Sequence, residues 1–166
     1  MKIGIDMMGG DYAPLEAVIG IQEYLAGGNA AHLVLTGDEA IVRPMLEEHG
    51  IPASAYTLVH TTQVIDMHEH PTKALKEKQQ SSIAVGFHLL ASGKTDAFIS
   101  AGNTGAMLVG ALYALKALPG VLRPTISTII PKENGRTGLL LDVGLNSDCK
   151  PEHLNQFARM GSIYAQ

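Results

Sequence analysis

Short apolar runs alternate with segments of helical spacing along most of the chain. Nearly continuous apolar runs predict strands that are buried on both faces, as in a parallel sheet. Apolar residues three and four positions apart predict helices with one buried face. The predicted strands are 2–8, 32–37, 56–62 and 96–102, and the predicted helices are 14–26, 38–50, 71–80, 81–93, 104–118 and 151–166. This order predicts an α/β fold of three layers, with helices on both faces of a mostly parallel sheet.

The segment 124–144 breaks the alternation. Its two predicted strands, 124–131 and 137–144, follow each other with no helical segment between them. The connection contains Asn134-Gly135, a pair typical of tight turns between antiparallel strands. We therefore expect an antiparallel hairpin here.

Several residues at the predicted helix ends have the chemistry of caps. Asp38 is placed to cap the helix 38–50, and Ser81 or Ser82 to cap the helix 81–93. Pro71 suits the first helical position. Pro44 should kink or divide the helix 38–50. The most apolar helix, 104–118, should be buried against the sheet.

Composition narrows the possible functions. A net charge of −4 and an aromatic content of 5% without Trp argue against nucleic-acid binding. A single cysteine, Cys149, forms no intrachain disulfide framework and suits a reducing compartment. The start of the chain has no signal-peptide pattern, and the longest apolar run ends at Lys116, too early for a membrane span. We expect a cytoplasmic protein. We also expect a single α/β domain over 1–166. The last helix has no stop signal, so we expect the chain to be a fragment of a longer protein.

Polar residues follow four predicted strands, where open parallel sheets bind ligands. The first group is Asp6, Gly9, Gly10 and Asp11. It is either a strand–helix turn capped by Asp11, or a loop that lets a substrate approach the backbone. The spacing is not that of a dinucleotide-binding loop.

The second group surrounds a short helix. Lys73 and Lys76 share one face of it, and Lys78, Ser81 and Ser82 follow. Lysines on such a helix are often only a solvated surface. Lysines beside hydroxyls at a helix start can also hold phosphate or another anion.

The third group spans the end of the strand 96–102 and the start of the helix that follows it. Ser100, Gly102, Asn103, Thr104 and Gly105 combine small residues, hydrogen-bonding side chains and the unpaired amides of a helix start. This group is either a capped turn or an anion site.

The fourth group is Asp142, at the end of the strand 137–144, with Asn146 and Asp148 in the loop that follows. These residues are either a strand end with a helix cap or part of the site. Cys149 as a nucleophile and His68 with His70 as metal ligands are the weaker alternatives, because neither has partners at a familiar spacing.

In this order the motifs resemble the bacterial phosphate acyltransferase family, the acyl-acyl-carrier-protein:phosphate transacylases. The matching segments are IDMMGGDYAP, MHEHPTKALKEKQQSSI, FISAGNTGAM, RPTISTIIP and LLLDVGLNSDCKPEHLNQFARMGSIYA. The resemblance covers essentially this whole chain and the N-terminal part of the family's proteins. Two positions depart from it. Lys76 stands where the family often has Arg, which loses bidentate phosphate contact, and Leu145 stands where it often has Ala and could narrow the loop near Asn146.

The resemblance implies a fold similar to phosphotransacetylases and isocitrate-type dehydrogenases, in a homodimer without metal or organic cofactor. It implies that an acyl group moves from acyl-carrier protein to inorganic phosphate, and that a membrane acyltransferase then uses the acyl phosphate on glycerol 3-phosphate. The protein would be cytoplasmic or peripheral at the inner face of the membrane. A phosphotransacetylase acting on short-chain acyl-CoA, and a non-catalytic ligand-binding fragment, remain alternatives.

Phosphate attacks a thioester without help from a protein nucleophile, so the protein has to hold phosphate and stabilise the oxyanion. We assign this work to Ser100, Asn103, Thr104 and Gly105. Lys73, Lys76 and Lys78 would compensate charge or meet the phosphate of the carrier's phosphopantetheine arm, and Asp6, Asp142 and Asn146 would orient these groups. Arg123 is a candidate for the dimer or acyl site. The remaining substrate-binding candidates are Gly9, Gly10, Asp11, Ser81, Ser82 and Gly102.

Overall fold

The computed structural model describes residues 1–144, 146 and 148–166. They fall into two compact units, Met1–Leu115 and Lys116–Gln166. Compact units are not by themselves independent domains, so the single domain expected for 1–166 stays a prediction. Leu145, for which the sequence predicted a narrowed loop, lies outside the described residues.

The first unit contains a four-stranded sheet and five helices among its described residues. The strands are β1 (Lys2–Asp6), β2 (His32–Gly37), β3 (Tyr56–His60) and β4 (Ala97–Ile99), in the order β3-β2-β1-β4. All neighbours are parallel, with Gly4 paired to Val34 on one side and to Phe98 on the other. The helices are α1 (Leu15–Ala26), α2 (Glu39–Glu48), α3 (Pro71–Glu77), α4 (Ser82–Ala91) and α5 (Thr104–Leu115), with a short 3-10 turn at Ala53–Ala55. The predicted parallel sheet between helical layers is confirmed.

Two apolar clusters fix the layers of the first unit. Met7, Val18, Leu35, Val42 and Leu46, all with no exposed surface, join α1 and α2 to one face of the sheet. A second cluster joins α3, α4 and α5 through residues such as Ile83, Phe87 and Ala106. Each fully buried side chain of this size contributes about 1.5–3 kcal/mol relative to exposure, so both clusters hold the strand ends in place.

The caps predicted for α2 and α4 are confirmed with one refinement, whereas α1 follows Pro14 and has no side-chain cap, so the alternative that Asp11 caps it is wrong. The Asp38 carboxylate accepts from the Ala40 amide at 3.0 Å, and Ser81, not Ser82, caps α4 by accepting from the Ala84 amide at 3.3 Å. Pro71 is the first residue of α3. The predicted division at Pro44 is wrong, because α2 continues through it. A proline costs the helix one hydrogen bond, and the buried Val42 and Leu46 hold both halves to the same core.

Helix α5 packs on α3 and α4, and Phe98 of β4 packs against the same apolar cluster as Ala106 of α5. Glycines allow this close packing. A Cβ at Gly110 would lie 2.4 Å from the Phe87 ring, and one at Gly86 would lie 2.1 Å from the Phe98 ring. The two rings meet edge to face at 5.2 Å. Phe98 of β4 therefore contacts α4, and α4 in turn contacts α5.

The second unit contains the predicted hairpin. Strand β5 (Ser127–Pro131) pairs antiparallel with β6 (Thr137–Leu141), in a sheet separate from the parallel one. Gly135 in the connecting turn has a φ of +73°, which favours glycine. Helix α6 (Pro151–Tyr164) packs on β6, where a Cβ at Gly161 would lie 2.8 Å from a Leu141 methyl carbon. Within the described residues, no helix is both long and apolar enough to cross a membrane.

Candidate functional site

A hydrogen-bonded chain joins the carboxyl ends of β1 and β4. The Asp6 carboxylate is 3% exposed and accepts from the Met8 amide at 2.9 Å and from the Ser100 hydroxyl at 2.7 Å. The Ser100 oxygen in turn accepts from the Gly102 amide at 3.0 Å. These donors compensate for burying the carboxylate, so Asp6 and Ser100 fix the two loops to each other.

Glycines let these two loops touch. A Cβ at Gly9 would lie 2.6 Å from Asp6 Oδ2 and 2.6 Å from the Gly102 nitrogen. Gly10 has a φ of +107°, which L residues with side chains rarely adopt. The missing side chain at position 9 therefore lets the backbone come close to Asp6, and Gly10 allows the turn that follows.

A cleft of about 500 Å³ opens beside this pair of loops. The charged side chains that line it are the carboxylates of Asp6, Asp11 and Glu16. Carboxylates repel a phosphate dianion and accept hydrogen bonds from neutral amides and hydroxyls. This charge weighs against phosphate as the group that binds beside Gly9, Gly10 and Asp11, and it suits a neutral part of a substrate.

Asn103 is buried and uses its whole amide group on the backbone. Its nitrogen donates towards the carbonyls of Asp66, Met67 and Glu69, at 3.0, 3.3 and 3.1 Å. Its oxygen accepts from the Ala106 amide at 2.9 Å and so caps α5. These contacts fit a residue that positions a loop. The role of Asn103 as an oxyanion donor stays a prediction, and it requires at least one of these bonds to open.

The three lysines of the second group differ in their surroundings. Lys78 donates to Glu69 Oε2 at 2.6 Å and to the Val64 carbonyl at 2.7 Å. The hydrogen bond from Lys78, with a second from the Asp66 amide, holds the pKa of Glu69 below its usual range. Lys73 and Lys76 are exposed on α3. Lys73 and Lys76 are therefore better placed than Lys78 to meet a phosphate.

The structure separates the hydroxyls of Ser81 and Ser82 from solvent. Both side chains are at most 1% exposed, and Ser81 caps α4. This burial weighs against direct contact with a ligand, and a role of these serines in substrate binding stays a prediction. The start of α5 is different, because Thr104 is exposed and Gly105 lies against Pro71 of α3. A Cβ at Gly105 would be 2.4 Å from Pro71 Cγ, so the first turns of α3 and α5 touch.

The fourth group belongs to the second unit and forms a network of its own. Asp142 accepts from the Asn146 amide at 2.7 Å and from the Thr125 hydroxyl at 3.3 Å. Burial raises the pKa of Asp142, but hydrogen bonds from the Asn146 and Ile126 amides and from the side chains of Asn146 and Thr125 outweigh it and leave the pKa below its ordinary value. The Asn146 side chain donates to the Pro124 carbonyl. Because β6 lies in the antiparallel hairpin, the strand-end rule that selected Asp142 does not apply to it.

The other residues singled out in the sequence have simpler surroundings. Arg123 donates to the Asp148 carbonyl at 2.9 Å. Cys149 is a free thiol, half-buried. His68 and His70 are exposed, and within the described part of the chain no three His, Cys, Asp or Glu side chains are arranged to hold a metal ion.

Sequence reasoning missed Glu69. It lies between the two histidines in a loop, nine positions before Lys78, and no helical or strand period relates the two residues. The pairing arises only when the loop folds back on the end of α3. A carboxylate flanked by polar residues in a loop gives no sequence signal of such a contact.

The comparisons with known proteins agree over the whole chain. The profile of the family described as "Fatty acid synthesis protein" matches residues 1–166. "Phosphate acyltransferase" of Dictyoglomus turgidum is 45% identical over 100% of this chain and 49% of its own length. The protein of the same name from Thermoanaerobacterium thermosaccharolyticum is 44% identical over 100% of this chain and 48% of its own length.

The chain spans about half the length of these curated relatives. The family profile nevertheless covers every residue of it, including the loops that carry Asp6, Asn103 and Asp142. The chain therefore belongs to the fatty acid synthesis protein family.

Proposed function

We propose that this chain is part of a phosphate acyltransferase that moves a fatty acyl group from acyl-carrier protein to inorganic phosphate. The match to relatives named phosphate acyltransferase over the whole chain carries this proposal. The product, an acyl phosphate, would serve phospholipid synthesis through a membrane glycerol-3-phosphate acyltransferase. The working protein would be a cytoplasmic homodimer, or one peripheral at the membrane.

The reaction exchanges a thioester for an acyl phosphate. An oxygen of the phosphate dianion attacks the thioester carbonyl carbon, and a C–O bond forms. The C–S bond then breaks, and the phosphate proton ends on the thiol of the carrier protein. Phosphate is already a nucleophile near neutral pH, so the protein has to hold the two substrates together and stabilise the negative oxygen.

The contacts of the first unit support one division of labour. The first amides of α5, at Thr104 and Gly105, have no acceptor within their own helix and carry the positive end of its dipole. Exposed Lys73, two residues after the Pro71 that touches Gly105, adds positive charge on the α3 side of this end, while exposed Lys76 lies further along α3, beside Tyr113 of α5. We place phosphate there, and the neutral part of the thioester arm in the cleft with the three carboxylates.

Acyl phosphate formation tests the proposal directly. The protein is incubated with palmitoyl-acyl-carrier protein and phosphate, and acyl phosphate is trapped with hydroxylamine. We expect hydroxamate that depends on both substrates. Hydroxamate from acetyl-CoA, but not from the carrier thioester, would instead identify a short-chain phosphotransacetylase. Binding of phosphate or carrier protein without product would indicate a non-catalytic domain.

A further inference from the structure

Two separate elements hold the loop 64–70, which leads from β3 towards α3. From one side, Asn103 at the start of α5 donates towards three of the loop's carbonyls. From the other side, Lys78 at the end of α3 donates to the Val64 carbonyl and to the Glu69 carboxylate. The side chain of Ile65 is 5% exposed and packs in the second core cluster. The loop is thus tied to both helices and to the core.

Glu69 takes part in both attachments. Its backbone carbonyl accepts from Asn103, and its carboxylate accepts from Lys78 and from the Asp66 amide at 2.8 Å. Its own amide donates back to the Asp66 carbonyl at 3.2 Å. A change at Glu69 therefore affects contacts to α3 and to α5 together.

The position of the 64–70 loop determines where the first turns of α3 and α5 meet. His70 is the residue before α3, and Pro71, the first residue of α3, touches Gly105 of α5. The loop ends at this contact, so its position sets how Lys73 and Lys76 lie relative to the first amides of α5.

We propose that Glu69 is a positioning residue of the site, which fixes the 64–70 loop through Lys78 and Asn103 and thereby aligns α3 with the start of α5. The proposal deepens the phosphate acyltransferase function and rests on it for its kinetic consequences. Lys78, predicted from the sequence as a phosphate ligand, is then a structural partner of Glu69.

The two roles of Lys78 predict different kinetics. If Lys78 pairs with Glu69 to position the loop, Lys78→Met and Glu69→Gln both lower kcat about tenfold or more, because misplaced groups slow the chemical step, and both shift the KM for phosphate in the same direction, because α3 carries lysines of the phosphate site. If Lys78 binds phosphate, Lys78→Met raises this KM, while Glu69→Gln releases the cation and lowers it. Opposite shifts of the phosphate KM, or an unchanged kcat in both variants, would overturn the proposal.

Four further variants sharpen the kinetic test. The double variant Lys78→Met/Glu69→Gln should be no slower than either single variant, because the two residues act through one contact. Lys78→Arg keeps a cation at the carboxylate and should restore most of kcat. Glu77→Gln and Lys94→Met, both at exposed positions, remove the same charges elsewhere and should leave kcat unchanged.

Amide hydrogen exchange tests whether Glu69 holds the 64–70 loop, and this measurement needs no substrate. In Glu69→Ala the Asp66 amide loses its acceptor, and its exchange should become roughly two- to fivefold faster, while amides of β1 and β2 stay unchanged. Unchanged exchange at Asp66 would show that Glu69 does not anchor the loop. If the wild-type protein makes no acyl phosphate, the proposed function fails, and faster exchange still supports Glu69 as the anchor of the loop.

Discussion

The Ser100 hydroxyl donates to the Asp6 carboxylate at 2.7 Å and so joins the ends of two neighbouring parallel strands. The two residues are 94 positions apart in the sequence. The bond holds the β1–α1 loop against the β4–α5 loop, at the mouth of the cleft that we assign to the thioester arm.

Ser100→Ala should lower both stability and activity. The buried Asp6 carboxylate loses one of its donors, and a hydrogen bond to a charged group contributes about 1.5–3 kcal/mol to the free energy of unfolding. Urea unfolding and the hydroxamate assay measure the two effects. Ser54→Ala, at an exposed position, is the control and should stay within about 0.5 kcal/mol. Equal behaviour of the two variants would contradict a role for the Ser100–Asp6 bond.

Gly9→Ala and Gly20→Ala should have opposite effects on stability. The new methyl group at position 9 would lie 2.6 Å from Asp6 Oδ2, and we expect a cost of about 1–3 kcal/mol from overpacking. The methyl group at position 20 meets open space on α1, where replacing glycine by alanine stabilises a helix by about 1 kcal/mol. Thermal unfolding of both variants checks this. A Gly9→Ala protein as stable as the wild type would show that the loops do not touch as described.

Asn103→Ala tests whether this side chain stabilises the oxyanion or positions the loop. Loss of an oxyanion donor alone lowers acyl phosphate formation about 100-fold and keeps the thermal stability. Loss of the buried contacts to the loop lowers the free energy of unfolding as well, by about 2–3 kcal/mol. Activity and thermal unfolding of one preparation distinguish the two, and we expect both to fall.

Asn103→Asp separates the two halves of the amide group. An aspartate keeps the acceptor for the Ala106 amide but replaces the donor by an oxygen that faces three carbonyls. We expect α5 to remain capped and the 64–70 loop to lose its attachment, with faster amide exchange at Glu69. Wild-type exchange in this loop would show that Asn103 does not hold it.

Asp142 should make the stability of the second unit depend on pH. Because hydrogen bonds lower its pKa in the folded state, its contribution is fully present above the ordinary value of 3.8 and is lost as the pH falls through the lower folded value. An NMR titration should give a midpoint for Asp142 below 3.8. In Asp142→Asn this part of the acid dependence should disappear. A midpoint at or above the ordinary value would contradict the network of hydrogen bonds.

The elements of the fold could be predicted because they depend on local patterns. Apolar runs gave the strands, and Asp38 and Pro71 marked helix starts by their own chemistry. The predicted strand 96–102 was too long, since β4 ends at Ile99. Beyond Ile99 the backbone leaves the sheet. The Ser100 hydroxyl donates to Asp6, and its oxygen accepts from the Gly102 amide. The end of this strand is thus set by a residue 94 positions away.

The sequence predicted where the candidate site lies, but it did not predict most of the contacts that the side chains of the site make. The carboxyl ends of the parallel strands lie at the same edge of the sheet, so the sequence alone placed Asp6 near Ser100. The directions of side chains depend on tertiary contacts. The Lys78 ammonium donates to Glu69, and the Asn103 amide donates to the backbone of the 64–70 loop. Ser82, the first residue of α4, is buried. A sequence pattern does not contain these distances.

The contacts of Gly86 with Phe98 and of Gly110 with Phe87 have a consequence for protein engineering. Each glycine leaves space for one aromatic ring, so the two contacts set the spacing between strand β4, helix α4 and helix α5. An added methyl group at position 110 would push α5 outward, and trimming Phe87 to leucine would let it move inward. Paired substitutions at these positions are therefore a means of widening or narrowing the gap between α4 and α5 without altering any residue that we assign to the site.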